Sequence, residues 1–309
     1  MPIPDLLGQM RDRLDVTFES QGIQCAAWLY LPDREDPGPV IVMAHGLGAV
    51  RTMRLDAFAE RFCAAGYACL VFDYRYFGDS EGEPRQLLNI KAQQRDWQAA
   101  VAFARQRQEI DPTSVVLWGT SFGGGHVITA AAEDQTVAAV IAQCPFTDGV
   151  ASSLVIDPRS SFRVTLRALR DVIGGLFGRT PIMVPTTGPP HSAALMTAPD
   201  AQPGYLRLVP DGVPFRNEVA ARIALRIPTH RPGRRTPAIN CPILFCVCDR
   251  DSVAPSKATL RRAARARHGV VRRYPVGHFD IYVGADFERV VRDQLAFLKH
   301  HVPTSETRK

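Results

Sequence analysis

Gly119-Thr120-Ser121-Phe122-Gly123 is the stretch of this 309-residue chain best suited to chemistry. It fits G-x-S-x-G, in which a serine stands at a sharp strand-to-helix reversal. Residues 115–118 are apolar and partly β-branched, as suits a buried strand, and residues 127–132 turn small and helical. Gly119 and Gly123 lack a Cβ, so the two arms can pass close together. Ser121 Oγ then stands clear of the sheet. The Phe122 N–H falls at a helix N-terminus, where it can face a developing oxyanion. The pattern arises by chance in roughly one chain of this length in ten, so its setting has to carry it.

A serine hydroxyl is scarcely ionised at neutral pH and needs a base, which in turn needs an orienting carboxylate. Two later loops supply both. One reads Cys248-Asp249-Arg250-Asp251-Ser252-Val253-Ala254-Pro255, after an apolar run at 242–247; the other reads Pro275-Val276-Gly277-His278-Phe279, after 270–274. The order is serine, acid, histidine, and the residues of the first loop leave both Asp249 and Asp251 open. Upstream, His45-Gly46-Leu47-Gly48 follows the apolar run 40–44, and Asp73-Tyr74-Arg75 follows 68–72.

The elements that must position these loops are legible as an alternation. Strands are expected at 14–20, 23–31, 40–44, 68–72, 115–118, 137–142, 242–247 and 270–274. Helices are expected at about 53–65, 90–107, 256–267 and 286–300. Such alternation gives a mostly parallel sheet covered on both faces. Ligands then bind beyond the carboxyl ends of the strands, where all these loops fall.

The alternation breaks at about Pro145, and residues 146–237 are expected to hold no strand. Phe162–Phe177 spaces Phe162, Leu166, Leu169, Ile173 and Leu176 at helical intervals, with Arg163, Arg167 and Arg170 between them. Phe215–Ile227 reads as a second amphipathic helix, 181–190 as irregular, and Arg231–Pro237 as a linker. The expected organisation is a core from 1–145 and 238–302, an inserted helical cap at 146–237, and a loose tail at 303–309. A basic amphipathic helix can touch a membrane, but the expectation here is an apolar face laid on the core.

The seven cysteines are odd in number and sit in apolar segments, which reads as free thiols. No C-x-x-C or H-x-x-x-H pair suggests a metal, so no metal or cofactor is expected. Residues 1–20 carry early charges and no apolar core of a signal peptide, and no run approaches the ~20 residues that span a bilayer. A cytoplasmic protein is expected. The net charge of +6 conceals an asymmetry: residues 1–158 hold 12 Lys/Arg against 20 Asp/Glu, whereas residues 159–309 hold 25 against 11. The basic half is read as a solvated surface, or as attraction for an acyl substrate borne on coenzyme A or an acidic carrier protein. Nucleic acid and membrane are not expected partners, because no recognised module accompanies the charge. A homodimer is compatible with the pattern.

With His45-Gly46, Gly119–Gly123, Asp251–Pro255 and Gly277-His278-Phe279 in this order, the chain resembles α/β-hydrolases of the serine esterase, thioesterase and dienelactone-hydrolase-like kind. It is also similar to S15/S9-type serine peptidases, whose elbows often read Gly-x-Ser-aromatic-Gly-Gly. The resemblance covers about 38–145 and 238–300. His45–Gly48, Asp73-Tyr74-Arg75 and Gly78–Gly82 further resemble a bacterial group related to fungal polyketide transferases and hydrolases. The resemblance implies the α/β-hydrolase fold with Ser121 as nucleophile, His278 as base and Asp251 as acid. The family's aspartate stands four residues before the proline, which selects Asp251 and leaves Asp249 as a turn residue. It also implies an oxyanion hole made by the backbone N–H groups of Leu47 and Phe122. The function it implies is hydrolysis of an ester or thioester of a small to medium acyl group through an acyl-enzyme. Acyl transfer, peptide hydrolysis and non-catalytic ligand binding are the alternatives.

Other candidates carry plainer expectations. His45 is expected to order the oxyanion loop, His126 and Trp118 to be structural, and Asp73 and Arg75 to fix a loop. Phe122 could face core or substrate. His191 and His230 lie in the expected cap. Met183, Leu195, Met196 and Phe215 are expected around an apolar pocket.

Overall fold

A computed structural model of the chain describes residues 10–304. The N-terminal reading at residues 1–9, and the tail at 305–309, lie outside the described residues. Strands β1 (Met10–Ser20) and β2 (Ile23–Pro32) form an antiparallel hairpin, with Gln21 and Gly22 both at positive φ in its turn. Then follow β3 (Gly38–Ala44), α1 (Leu55–Cys63), β4 (Ala68–Phe72), α2 (Ile90–Arg105), β5 (Ile110–Thr120), α3 (Phe122–Glu133) and β6 (Ala139–Gln143). After a long intervening segment come β9 (Ile243–Cys248), α7 (Ser256–Ala263), β10 (Gly269–Tyr274) and α8 (Gly284–His301). These strands form one eight-stranded sheet in the order β1-β2-β4-β3-β5-β6-β9-β10, parallel from β4 onward.

The central strands β3, β4 and β6 are buried along their whole length, as continuous apolar runs require when helices cover both faces. The edge strand β10 instead exposes Arg272 and Arg273, charges that discourage further strand pairing. Under the centre of the sheet a buried polar chain links Trp118 Nε1 to Gln294 Oε1 (3.0 Å) and Gln294 Nε2 to Gln143 Oε1 (2.8 Å). All three side chains are thereby satisfied inside the core.

The segment between β6 and β9 departs from expectation in four ways. It holds a short antiparallel strand pair, β7 (Met183–Pro185) with β8 (Glu218–Ala220), besides α4 (Gly149–Ser153), α5 (Pro158–Leu176) and α6 (Ala201–Leu206). Phe215–Ile227 is not one helix: it gives β8 and then 3-10 turns at Ala221–Leu225 and Ile227–Thr229. The Ala220 N–H goes to the Gln86 carbonyl and the Arg222 N–H to the Asp171 carboxylate, so neither is free for an α-helical ladder. Residues 231–237 are no loose linker. A 3-10 turn at Pro232–Ala238 packs there, with the Gly233 N–H on the Thr147 carbonyl (2.9 Å) and buried Thr236 Oγ1 on the Arg262 carbonyl (3.0 Å).

The fourth departure concerns α5. Its inward face is Ser160, Val164, Ala168 and Asp171, and its large apolar residues point outward. Small side chains let the helix approach closely, and the inward Asp171 meets Arg222 through Nε (2.7 Å) and the second guanidinium nitrogen (2.9 Å). Among the described residues no helix is long and apolar enough to cross a membrane.

Candidate active site

β5 ends at Thr120, and Ser121 takes φ 55° and ψ −118° before α3 begins at Phe122. A non-glycine residue there costs about 1–3 kcal/mol and needs surrounding structure to hold it. The Ser121 N–H donates to the Gln143 carbonyl (2.9 Å), and the Ser121 carbonyl accepts from the Phe146 N–H (2.8 Å). The glycines act as expected. A Cβ on Gly119 would lie 2.3 Å from the Gly123 carbonyl oxygen, and one on Gly123 would lie 2.4 Å from that of His45. Only a chain without those atoms can fold back this tightly.

The structure brings Ser121, His278 and Asp251 together from three loops at the carboxyl ends of the strands. His278 Nε2 lies 3.0 Å from Ser121 Oγ, and its Nδ1 lies 2.7 Å from Asp251 Oδ2. The Val253 and Ala254 N–H groups donate to the other Asp251 oxygen at 2.9 and 2.6 Å. Both oxygens are therefore committed, and the carboxylate cannot rotate away. Asp249, two residues earlier, points elsewhere: its Oδ1 accepts from Arg273 Nε at 2.8 Å on a partly exposed surface. Burial disfavours the charged form of His278, but the adjoining Asp251 carboxylate outweighs it and holds the imidazole pKa well above 6.5.

The His45–Gly48 loop lies against the serine, for a Cβ on Gly46 would come within 2.7 Å of Ser121 Cβ. His45 orders this loop. Its Nδ1 accepts from the Gly46 N–H (2.7 Å) and its Nε2 donates to the Met53 carbonyl (3.0 Å), which fixes the neutral tautomer. Burial lowers its pKa to about 4, so it remains neutral. Among the described residues neither the Leu47 nor the Phe122 N–H meets a hydrogen-bond partner. Both residues line the cleft at Ser121.

Other candidates fall where expected. His126 is buried between Gln94 Nε2 (2.7 Å) and Gln93 Oε1 (2.8 Å), and burial lowers its pKa well below 6.5. Asp73 accepts the Arg51 N–H (2.7 Å) and pairs with its guanidinium; Arg75 Nε donates to Asp96 (2.8 Å). Phe122 serves twice: it packs on His126 and Phe146, each with ring centroids at 5.0 Å, and also lines the cleft over Ser121. His191 bonds to Asp157 (3.0 Å) on the surface, and His230 stacks on Phe146 behind the cleft. Neither lines it.

The cleft over Ser121 encloses about 50 Å³ and is mostly apolar, with Phe146, Val155, Ile156, Leu195, Met196 and Ile227 in its walls. A second cavity of about 70 Å³ under α5 shares Ile156, Leu195 and Ile227 with it. Met183 and Phe215, expected here, line neither; Phe215 packs on Tyr205 at 5.8 Å. Among the described residues no group of three or more His, Cys, Asp or Glu side chains is placed to hold a metal.

Three neighbours escaped the sequence reading. Tyr205 of α6 donates its hydroxyl to the Leu47 carbonyl at 2.9 Å. Cys144, at positive φ, places its sulfur 3.9 Å from His278 Nε2. Asp200, just before α6, accepts the Ser252 hydroxyl at 2.9 Å and so joins α6 to the acid loop. No local pattern marks them, because each meets the site from a distant part of the chain.

Comparison with known proteins agrees with this fold. A model of the serine aminopeptidase S33 family matches residues 35–278. The quorum-quenching protein AidA of Acinetobacter baumannii is 59% identical over 290 residues, covering 94% of this chain and 95% of that protein. The thiohydrolase aneE of Aspergillus aculeatus is 40% identical over 127 residues, 41% of this chain and 39% of that one. The crystal structure of the α/β hydrolase GrgF from Penicillium sp. sh18 superposes with a TM-score of 0.80 at 26% identity, covering 94% of this chain and 99% of that one. The chain is a hydrolase-type enzyme of the α/β-hydrolase fold and belongs to the serine aminopeptidase S33 family.

Proposed function

We propose that this enzyme cleaves an ester or thioester of a small to medium apolar acyl substrate through a Ser121–His278–Asp251 triad. The observation that carries the reading is the unbroken hydrogen-bonded line from Ser121 Oγ through His278 to a buried Asp251, opening into an apolar cleft. His278 Nε2 takes the Ser121 proton as Oγ attacks the acyl carbonyl. The Leu47 and Phe122 N–H groups receive the oxyanion, each donor typically worth ~10²–10³ in rate. Asp251 keeps the Nδ1 proton in place and stabilises the imidazolium. His278 then protonates the leaving group and later activates water to release the acid.

The segment 146–237 acts in this reading as a cap, since it supplies Val155, Leu195, Met196 and Ile227 to the cleft. The relation to a quorum-quenching protein supports a quorum-sensing signal as substrate class, and the relation to a thiohydrolase supports a thioester. Acyl transfer is a second reading, favoured by the 26% identity over 298 residues to the polyketide transferase grgF of Penicillium sp.. Competing alcohols or amines in the assay separate transfer from hydrolysis.

The test is intact mass after fluorophosphonate treatment of wild type and Ser121→Ala, beside hydrolysis of p-nitrophenyl esters of graded chain length. One adduct is expected on wild type and none on the variant, with turnover lost in the variant. Retained turnover in folded Ser121→Ala would sink the mechanism.

A further inference from the structure

α5 presents an unexpected face to solvent. Phe162, Leu166, Leu169, Ile173 and Leu176 succeed one another at intervals of four and three, which aligns them as one stripe. Their exposure ranges from 47% at Leu169 to 80% at Leu176. The helix is held in this attitude at both ends. The Asp157 carboxylate caps its first turn through the Arg159 and Ser160 N–H groups (3.1 and 3.0 Å). Near the other end, Asp171 accepts from the Ile182 and Arg222 N–H groups (2.8 and 2.9 Å) besides the Arg222 guanidinium. Contiguous apolar patches of this kind mark interaction surfaces.

Charge decides what covers the stripe. Arg159, Arg163, Arg167 and Arg170 are all exposed beside it, and none forms an ion pair among the described residues. Arg163 does donate to the His191 carbonyl at 2.7 Å. The one acid of the helix, Asp171, is buried and already neutralised by Arg222. Two copies laid stripe to stripe in antiparallel sense would crowd arginine against arginine with no carboxylate of α5 between them, the reverse of what pairs helices. An anionic surface neutralises them instead. The stripe also continues into the cleft: Val155, 49% exposed just before α5, is part of the wall over Ser121.

We propose that α5 docks the protein on a bilayer surface rich in anionic lipid. The stripe enters the headgroup–acyl boundary while the arginines reach back to the phosphates. An apolar acyl substrate can then pass from lipid along Val155 to Ser121; this last step rests on the proposed hydrolase reading, whereas the docking does not.

The experiment is co-sedimentation of the full chain with vesicles of pure phosphatidylcholine, and of phosphatidylcholine with one-third phosphatidylglycerol, at low and high salt. Wild type is expected to sediment with the anionic vesicles only, and to be released by salt. Arg167→Gln and Arg170→Gln are each expected to weaken partitioning about five-fold. Leu166→Glu with Ile173→Glu is expected to abolish it, while hydrolysis of a soluble short-chain ester stays at the wild-type rate. Wild type that remains in the supernatant with anionic vesicles overturns the proposal. If sedimentation velocity then shows a dimer that the Glu variants split, the face belongs to a second copy. Ser121→Ala separates the two readings, since it must bind vesicles like wild type whatever becomes of hydrolysis.

Discussion

Asp251→Asn is the sharpest single perturbation of this site, because the structure dictates what the new amide must do. The Val253 and Ala254 N–H groups both donate to Oδ1 and will hold an oxygen there. The replacement therefore turns its NH2 toward His278 Nδ1. An imidazole facing a donor at Nδ1 must accept there and carry its proton on Nε2. That nitrogen then cannot take the Ser121 proton. A wrong tautomer of this kind costs roughly 10⁴ in kcat, about 5.5 kcal/mol of barrier, with the fold unchanged. Asp249→Asn removes only a surface pair, with Arg273 60% and Asp249 29% exposed. Such a pair is worth under about 1 kcal/mol of stability, and less than about a three-fold change in rate is expected. The assay is kcat/KM on a short p-nitrophenyl ester as a function of pH, with thermal melts as the folding control. Wild-type kcat/KM should rise with pH as His278 loses its proton, with the acid limb above 6.5 because Asp251 favours the imidazolium. Loss of several orders of magnitude in Asp249→Asn, with Asp251→Asn active, would refute the reasoning.

Two further outcomes follow from contacts around the site. Tyr205→Phe removes the hydroxyl that holds the Leu47 carbonyl. It is expected to cost about 1–2 kcal/mol of stability and to lower kcat about ten-fold with KM little changed, short of the ~10²–10³ for losing an oxyanion donor outright. A raised KM at unchanged kcat would make Tyr205 a pocket wall instead. Burial alone would raise the Asp171 pKa, but Arg222 and two backbone N–H groups hold it below the usual carboxylate range. Its contribution is thus present above the unfolded value of about 3.9 and is lost as pH falls through the folded one. Asp171→Asn should lower the urea midpoint by the equivalent of about 1–3 kcal/mol near neutral pH, since solvent at the partly exposed Arg222 screens the pair. That deficit should shrink at acid pH; one that persisted unchanged would assign it to packing.

The sheet and the three loops of the site were legible because their constraints are local. A buried parallel strand must be an apolar run, and a reversal as tight as residues 119–123 admits no Cβ at its two glycines. Each requirement is written into a few adjacent letters. The choice between Asp249 and Asp251 was not local in this sense. It needed a resemblance at the sequence level, and in the structure it turns on two backbone N–H groups and a distant histidine. Tyr205, Cys144 and Asp200 stayed invisible for the same reason, each reaching the site across tens of residues.

α5 shows where periodicity runs out. The four-and-three spacing correctly foretold a helix with one apolar face, but a period carries no information about which face turns inward. That choice was made by Asp171, which needs Arg222 and the Ile182 N–H as partners fifty-one and eleven residues away. Burying a carboxylate without them costs several kcal/mol, so the helix settles with its small, charged-and-paired side inward. The large apolar side is left outward, with four arginines beside it. An inward acid that finds its arginine is thus the physical cause of an outward apolar stripe. Four of the basic residues in the second half of the chain thereby gain a definite geometry along one helix. The same Asp171 links the two kinds of test: breaking its pair should loosen the attitude of α5, and with it the vesicle binding, while leaving the Ser121–His278–Asp251 line intact.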